Sequence, residues 1–235
     1  MNPAALELQG VASGYGEAMV LRGVALSIAP GTITALLGKN GMGKTTVLKT
    51  AMGYLPKRQG TVKLFGYDVT AWPAHKVARQ QVAYSPQEQA LFAELSIRDN
   101  LRLGLASDAG FDERFASVFE HFPFLSGRLA QLAGTLSGGE QKMLLVARAL
   151  MARPRLILIV EITEGLQPSV LKRLAAALRG ERDSHGTAML IVEQNVGFAL
   201  QVADRYSVLK RGEIVAEGAA ADGDAAQTIH AQLRV

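Results

Sequence analysis

TITALLGKNGMGKTTVLKTAMGYL, residues 32 to 55, decides how this chain is read. An apolar run, TITALLG, enters a glycine-rich turn, and KTTVLKTAMGYL continues with a helical pattern. Within it GKNGMGKT, residues 38 to 45, satisfies the spacing G-x-x-x-x-G-K-[ST]. Glycines at these places let the backbone curl until successive N–H groups point at one centre, and a helix start adds positive potential there. Lys44 is placed to reach β- and γ-phosphates, and the Thr45 hydroxyl to ligate Mg²⁺. A chance glycine turn would match the spacing but would not need the strand before it and the helix after it. The stretch predicts a nucleotide-phosphate site formed by Gly38, Lys39, Asn40, Gly41, Gly43, Lys44, Thr45 and Thr46, with Mg²⁺ beside the phosphates.

Outward from this site, short β-like runs alternate with helical patterns, which predicts an α/β chain around a mainly parallel sheet. TVKLFGYDV (61 to 69), QVAYSPQ (81 to 87), LILIV (156 to 160) and TAMLIV (187 to 192) read as strands, the second broken by Pro86. From about Glu88 to Gly134 the texture turns helical, with IRDNLRLGL and FDERFASVFEHFPFL carrying apolar residues at three- and four-residue spacing. The expectation is one domain over residues 1–235 with a helical subdomain inserted at approximately 88–150. SVLKRLAAALRGERD separates the last two strands as a helix, and YSVLKRGEIVAEG reads as a hairpin turning at Lys-Arg-Gly. The Ala-rich AAADGDAAQ is expected to be loose.

Composition narrows the classes. The chain has 235 residues, 49% hydrophobic and 20% charged, as in an ordinary globular protein. No apolar run approaches the roughly 18 residues that cross a bilayer, and MNPAALELQG lacks the basic-then-apolar order of a secretory signal. With no cysteine, disulfides and thiolate metal sites are excluded. The net charge of +4 comes from scattered basic residues, which does not make a nucleic-acid groove.

LSGGEQ, residues 136 to 141, precedes the helical run KMLLVARALMA. Ser137 and Glu140 have the spacing of a capping box, which accounts for those two residues but not for two glycines followed by Glu-Gln. GKNGMGKT followed by LSGGEQ and then LILIVE resembles the ATP-binding subunit of an ABC transporter, over nearly the whole chain from LELQGVASGYG to LKRGEIVAEG. The resemblance implies a P-loop NTPase core, an N-terminal antiparallel β region and an inserted helical subdomain. It also implies a head-to-tail dimer, as a homodimer or with a second ATPase subunit. Each ATP would lie between one subunit's phosphate loop and the other's Ser137, Gly138, Gly139 and Glu140. Tyr15 matches the aromatic residue stacked on adenine, and Gln87 the glutamine that senses Mg²⁺ and links to the membrane subunits. The family further implies separate permease subunits, an extracytoplasmic binding protein and a place on the cytoplasmic face of the membrane, with no nucleic-acid partner.

In the segment LILIVEITEGL, residues 156 to 166, the resemblance places Glu161 at the catalytic glutamate and Val160 at the magnesium-associated aspartate. Sliding by one residue would put Ile162 in the catalytic place and break the TEGL spacing. Glu161 is thus the candidate base or orienter for the attacking water, while Val160 offers no acceptor to a magnesium-bound water. ATP binding with weaker Mg²⁺ retention and slow turnover is the expectation. Gln194, where most of the family has histidine, can still donate a hydrogen bond to a γ-phosphate oxygen. That glutamine and TEGLQPS resemble the branch of branched-chain amino-acid importers and their relatives for urea and short amides. A regulatory subunit that holds ATP with little hydrolysis, and a soluble non-transport ABC ATPase, remain as alternatives.

Overall fold

A computed structural model describes residues 3–86, 91–105 and 107–234. Two sheets carry the architecture. The first is antiparallel, in the order β2-β1-β4-β5, from β1 (Leu6–Tyr15), β2 (Ala18–Ile28), β4 (Lys57–Leu64) and β5 (Tyr67–Asp68). The second has the order β10-β9-β3-β8-β7-β6, from β3 (Ile33–Leu37), β6 (Val82–Ser85), β7 (Leu156–Val160), β8 (Ala188–Glu193), β9 (Arg205–Lys210) and β10 (Glu213–Ala219). All its neighbours run parallel except β10, which closes the predicted hairpin onto β9.

The three central strands β3, β8 and β7 are buried along their whole length, which is why they read as unbroken apolar runs. Their alternation serves two cores. Leu156, Leu158 and Val160 of β7 pack with Leu190 and Val192 of β8 against the antiparallel sheet and α1 (Lys44–Ala51). Ile157 and Ile159 face the other way, with Met189 and Ile191, against α5 (Gly138–Met151) and α6 (Pro168–His185).

Between β6 and β7 the described chain forms α3 (Ile97–Arg102), α4 (Phe111–His121), two short 3-10 turns and α5. This helical insertion is no separate core, since Ile97, Leu101, Phe111 and Phe122 share one cluster with Ile157 and Ile159. FDERFASVFEHFPFL stops being helical at His121, because Pro123 disfavours helical backbone in the residue before it. TVKLFGYDV is likewise two strands, since Phe65 (φ 51°) and Gly66 (φ 87°) turn it back on itself. The remaining helices are α2 (Ala74–Ala78), α7 (Val196–Val202) and α8 (Ala225–Leu233). The last corrects the expectation of a loose Ala-rich tail for Ala225, Ala226 and Gln227, while residues 220–224 form turns. Alanine is the best helix former, and Ala225 and Ile229 are buried against β9 and α7.

Candidate functional site

The phosphate loop hangs between β3 and α1. A Cβ on Gly38 would sit 2.6 Å from the Leu209 carbonyl oxygen and 3.3 Å from Lys44 Cδ, so the close passage of these backbones excludes a side chain there. Gly43 has φ 101° and precedes α1 as a glycine, which has no side chain to cap the helix's first amides. These amides face the kind of anion site that helix starts provide.

A cavity of about 510 Å³ opens on this loop, lined by Tyr15, Val20, Asn40, Gly41, Gly43, Lys44, Thr45, Thr46, Glu161 and Glu164. It brings together eight of the residues expected from sequence, from Tyr15 through the loop to Glu161. Tyr15 is 45% exposed, with the Lys49 ammonium 5.7 Å from its ring centroid. Val20 and Glu164 were not among the predicted residues. Val20 carries no chemical signal, whereas Glu164 could have been found three residues beyond Glu161. Lys39 does not line this cavity but a second one, with Met42 and Leu233, and contributes its carbonyl to the loop.

That carbonyl accepts from Lys44 Nζ at 3.1 Å, and Glu161 Oε1 lies 3.0 Å from the same ammonium. Both side chains are nearly buried. Glu161 reaches Lys44 because its backbone is left-handed, φ 43°, just after β7 ends. Strand alternation would send residue 161 away from the Val160 face, whereas α1 packs on that face. The conformation costs a non-glycine residue about 1–3 kcal/mol, and the Glu161 amide is anchored by donating to the Val192 carbonyl at 2.8 Å.

Val160 is 1% exposed within the core under α1, and Ile162 is buried in the opposite core. Hydrocarbon thus flanks Glu161 on both sides. Gln194 Nε2 donates to Asn40 Oδ1 at 2.7 Å, so this side chain rests on the phosphate loop. Gln87 lies outside the described residues.

Ser137, Gly138, Gly139 and Glu140 stand apart from this cavity, at the start of α5. The Ser137 hydroxyl accepts from the Glu140 amide at 3.3 Å, and the Ser137 amide donates to Glu140 Oε2 at 3.0 Å, completing the capping box. Glu140 Oε1 takes Arg128 Nη1 at 2.5 Å, and this arginine with the Ser137 bonds holds the carboxyl below its usual range. Glu140 is therefore committed to building the helix start. Gly138 is exposed, and a Cβ on it would meet nothing within 4 Å.

A glycine loop between a buried parallel strand and a helix, with its lysine and a strand-end glutamate over one cavity, defines a P-loop nucleotide-binding protein of the α/β class. Similarity to known proteins narrows this. Residues 21–164 match the ABC transporter family. The chain is 34% identical over 212 residues to the high-affinity branched-chain amino acid transport ATP-binding protein BraG of Pseudomonas aeruginosa, covering 89% of this chain and 91% of that one. It is 33% identical over 222 residues to the lipopolysaccharide export system ATP-binding protein LptB of Escherichia coli K12, covering 92% and 90%. Among solved structures, an ATP-binding subunit of an ABC transporter superposes with a TM-score of 0.82 at 26% identity, covering 98% and 95%. The chain belongs to the ABC transporter family, as an ATP-binding subunit of the ATPase type. Among the described residues no helix is long and apolar enough to cross a membrane.

Proposed function

We propose that this chain is the energy-coupling subunit of an importer for branched-chain amino acids or a related small polar nitrogen compound. The observation that carries the ATPase reading is the Lys44–Glu161 pair, 3.0 Å apart at the mouth of the phosphate loop. In this reading the phosphates of ATP draw Lys44 to themselves and the loop amides hold the remaining charge. Glu161, relieved of Lys44, then orients the attacking water. Gln194 turns from Asn40 to a γ-phosphate oxygen.

The residues present fit a phosphate-borne Mg²⁺. Thr45 and Glu161 line the same cavity, and both carry hard oxygen donors. Among the described residues no cluster of three acidic, histidine or cysteine side chains could hold the ion alone. Thr45, with Gln87, would hold it against phosphate oxygens, where it would neutralise developing charge. Val160 supplies no outer partner, and losing such a partner typically costs about 10–100-fold in metal affinity or activity. Slow turnover follows.

The exposure of Ser137 and Gly138 and their separation from the cavity support a head-to-tail dimer, as a homodimer or with a second ATPase subunit. In it Ser137, Gly138 and Gly139 of one copy would close over the ATP of the other, with Tyr15 on the adenine. Permease subunits in the membrane, fed by an extracytoplasmic binding protein, would place the chain on the cytoplasmic face. BraG's name, Gln194 and TEGLQPS favour import. The similar identity to LptB favours a second reading, in which the cargo is a lipid exported from the membrane. Uptake of labelled leucine, urea and acetamide by cells with and without the chain separates them. Loss of uptake of one of these supports import, and unchanged uptake of all three overturns it.

A further inference from the structure

Glu193, the last residue of β8, is 1% exposed. Among the described residues no cation pairs with its carboxylate, and its partners are all neutral donors from two loops. Thr163, two residues after Glu161, donates from its amide to Oε1 at 3.2 Å and from its hydroxyl to Oε2 at 2.7 Å. The Gln194 amide donates to Oε2 at 3.3 Å. Burying a carboxylate without a cation is costly, and a hydrocarbon side chain would serve packing alone at least as well.

These contacts close a ring through three loops. Asn40 of the phosphate loop accepts from the Gln194 side chain, and the Gln194 amide donates to Glu193. Glu193 accepts from Thr163, and Glu161 returns to the phosphate loop at Lys44. A phosphate that enters this ring displaces two of its links, Gln194 from Asn40 and Glu161 from Lys44. The Glu193 carboxylate is the buried link that remains.

We infer that Glu193 is a positioning residue that ties the Gln194 switch to residues 163–166, so that capture of the γ-phosphate aligns Glu161 and the loop after it. This rests on the ATPase reading above and goes beyond it by naming the coupling element. Glu193 touches neither phosphate nor water; it acts through Thr163 and the Gln194 backbone.

The test compares Glu193→Gln, Thr163→Val, their double variant and Thr163→Ser. Hydrolysis is read in single turnover, with the chain in excess over radiolabelled ATP and Mg²⁺. Affinity is read with a fluorescent ATP analogue, and dimerisation by light scattering with ATP and no Mg²⁺. Each of the first two variants should lose roughly tenfold in single-turnover rate with affinity within about twofold, and the double variant should be no slower than the slower single one. Thr163→Ser, which keeps the hydroxyl, should restore the rate. If Glu193→Gln does not fold, the Thr163 pair carries the comparison. Should the unchanged chain bind ATP without measurable turnover, the ATP concentration at half-dimerisation takes the place of the rate. An unchanged readout in both single variants, or losses that multiply in the double variant, overturns the coupling while leaving the ATPase reading intact. Failure of the unchanged chain to bind ATP overturns both.

Discussion

β7 and β8 lie side by side in register, Val160 opposite Val192, and each of these valines is followed by a glutamate. Their glutamates nonetheless have opposite surroundings. β8 continues through Glu193 because β3 still pairs there, Leu37 opposite Glu193. Its carboxylate stays inside, among neutral donors. On the other side of β7, β6 ends at Ser85 opposite Ile159, and Pro86 has no amide to extend the ladder. The chain is released at Glu161, turns left-handed and delivers its carboxylate to Lys44. One dipeptide thus gives a cavity-facing acid on one strand and a buried tether on its neighbour. The neighbouring strand's length decides which.

The largest effect should come from the cavity-facing member. Glu161→Gln should lower single-turnover hydrolysis by about 10²–10⁴-fold. Affinity for ATP measured without Mg²⁺ should hold or improve, because Lys44 loses its competing acid. A variant that hydrolyses at the original rate would remove Glu161 from the chemistry and leave the two strand ends functionally alike.

Next in size is the residue before it. Val160→Asp should lower the Mg²⁺ midpoint for hydrolysis by about 10–100-fold. The same change puts a carboxylate into a site now 1% exposed within an apolar core. The melting temperature without ligand should therefore fall, and Mg²⁺ with ATP should recover part of it. Equal Mg²⁺ midpoints in the two chains would show that Val160 does not limit metal use.

The smallest effect belongs to the tether. Burial pushes the Glu193 carboxyl above its ordinary value, against the opposing hydrogen bonds from Thr163 and the Gln194 and Asn195 amides. The folded chain then holds this proton more tightly than the unfolded chain. The associated stability is present below the ordinary carboxylate value and is lost as pH rises through the raised one. In denaturant titrations across that window, Glu193→Gln should gain stability relative to the unchanged chain as pH increases. A difference that stays flat with pH would mean that Glu193 is not desolvated in the way its burial indicates.

Much of this site could be read along the chain because its parts are contiguous. Gly38 to Thr46 is one loop and one helix start, and Ser137 with Glu140 is one helix cap, so spacing alone carries their geometry. The hydrocarbon at Val160 was equally plain, since the five-residue apolar run LILIV, rich in β-branched residues, reads as a buried strand. What could not be read depends on partners far away in sequence. Gln194 bonds Asn40, 154 positions distant, and Glu193 bonds Thr163, 30 positions distant. Nor does AAADGDAAQ show by itself that Ala225 will find a sheet to pack on.

By itself, then, the sequence determined the family, the phosphate loop, the helix cap and the acid after the central strand, because each is a local pattern with a local physical cause. Only the tertiary structure decided that Glu161 meets Lys44 while Glu193 is sealed inside. That choice depends on which neighbouring strand continues and which stops, and strand pairing is a long-range contact that no local spacing encodes.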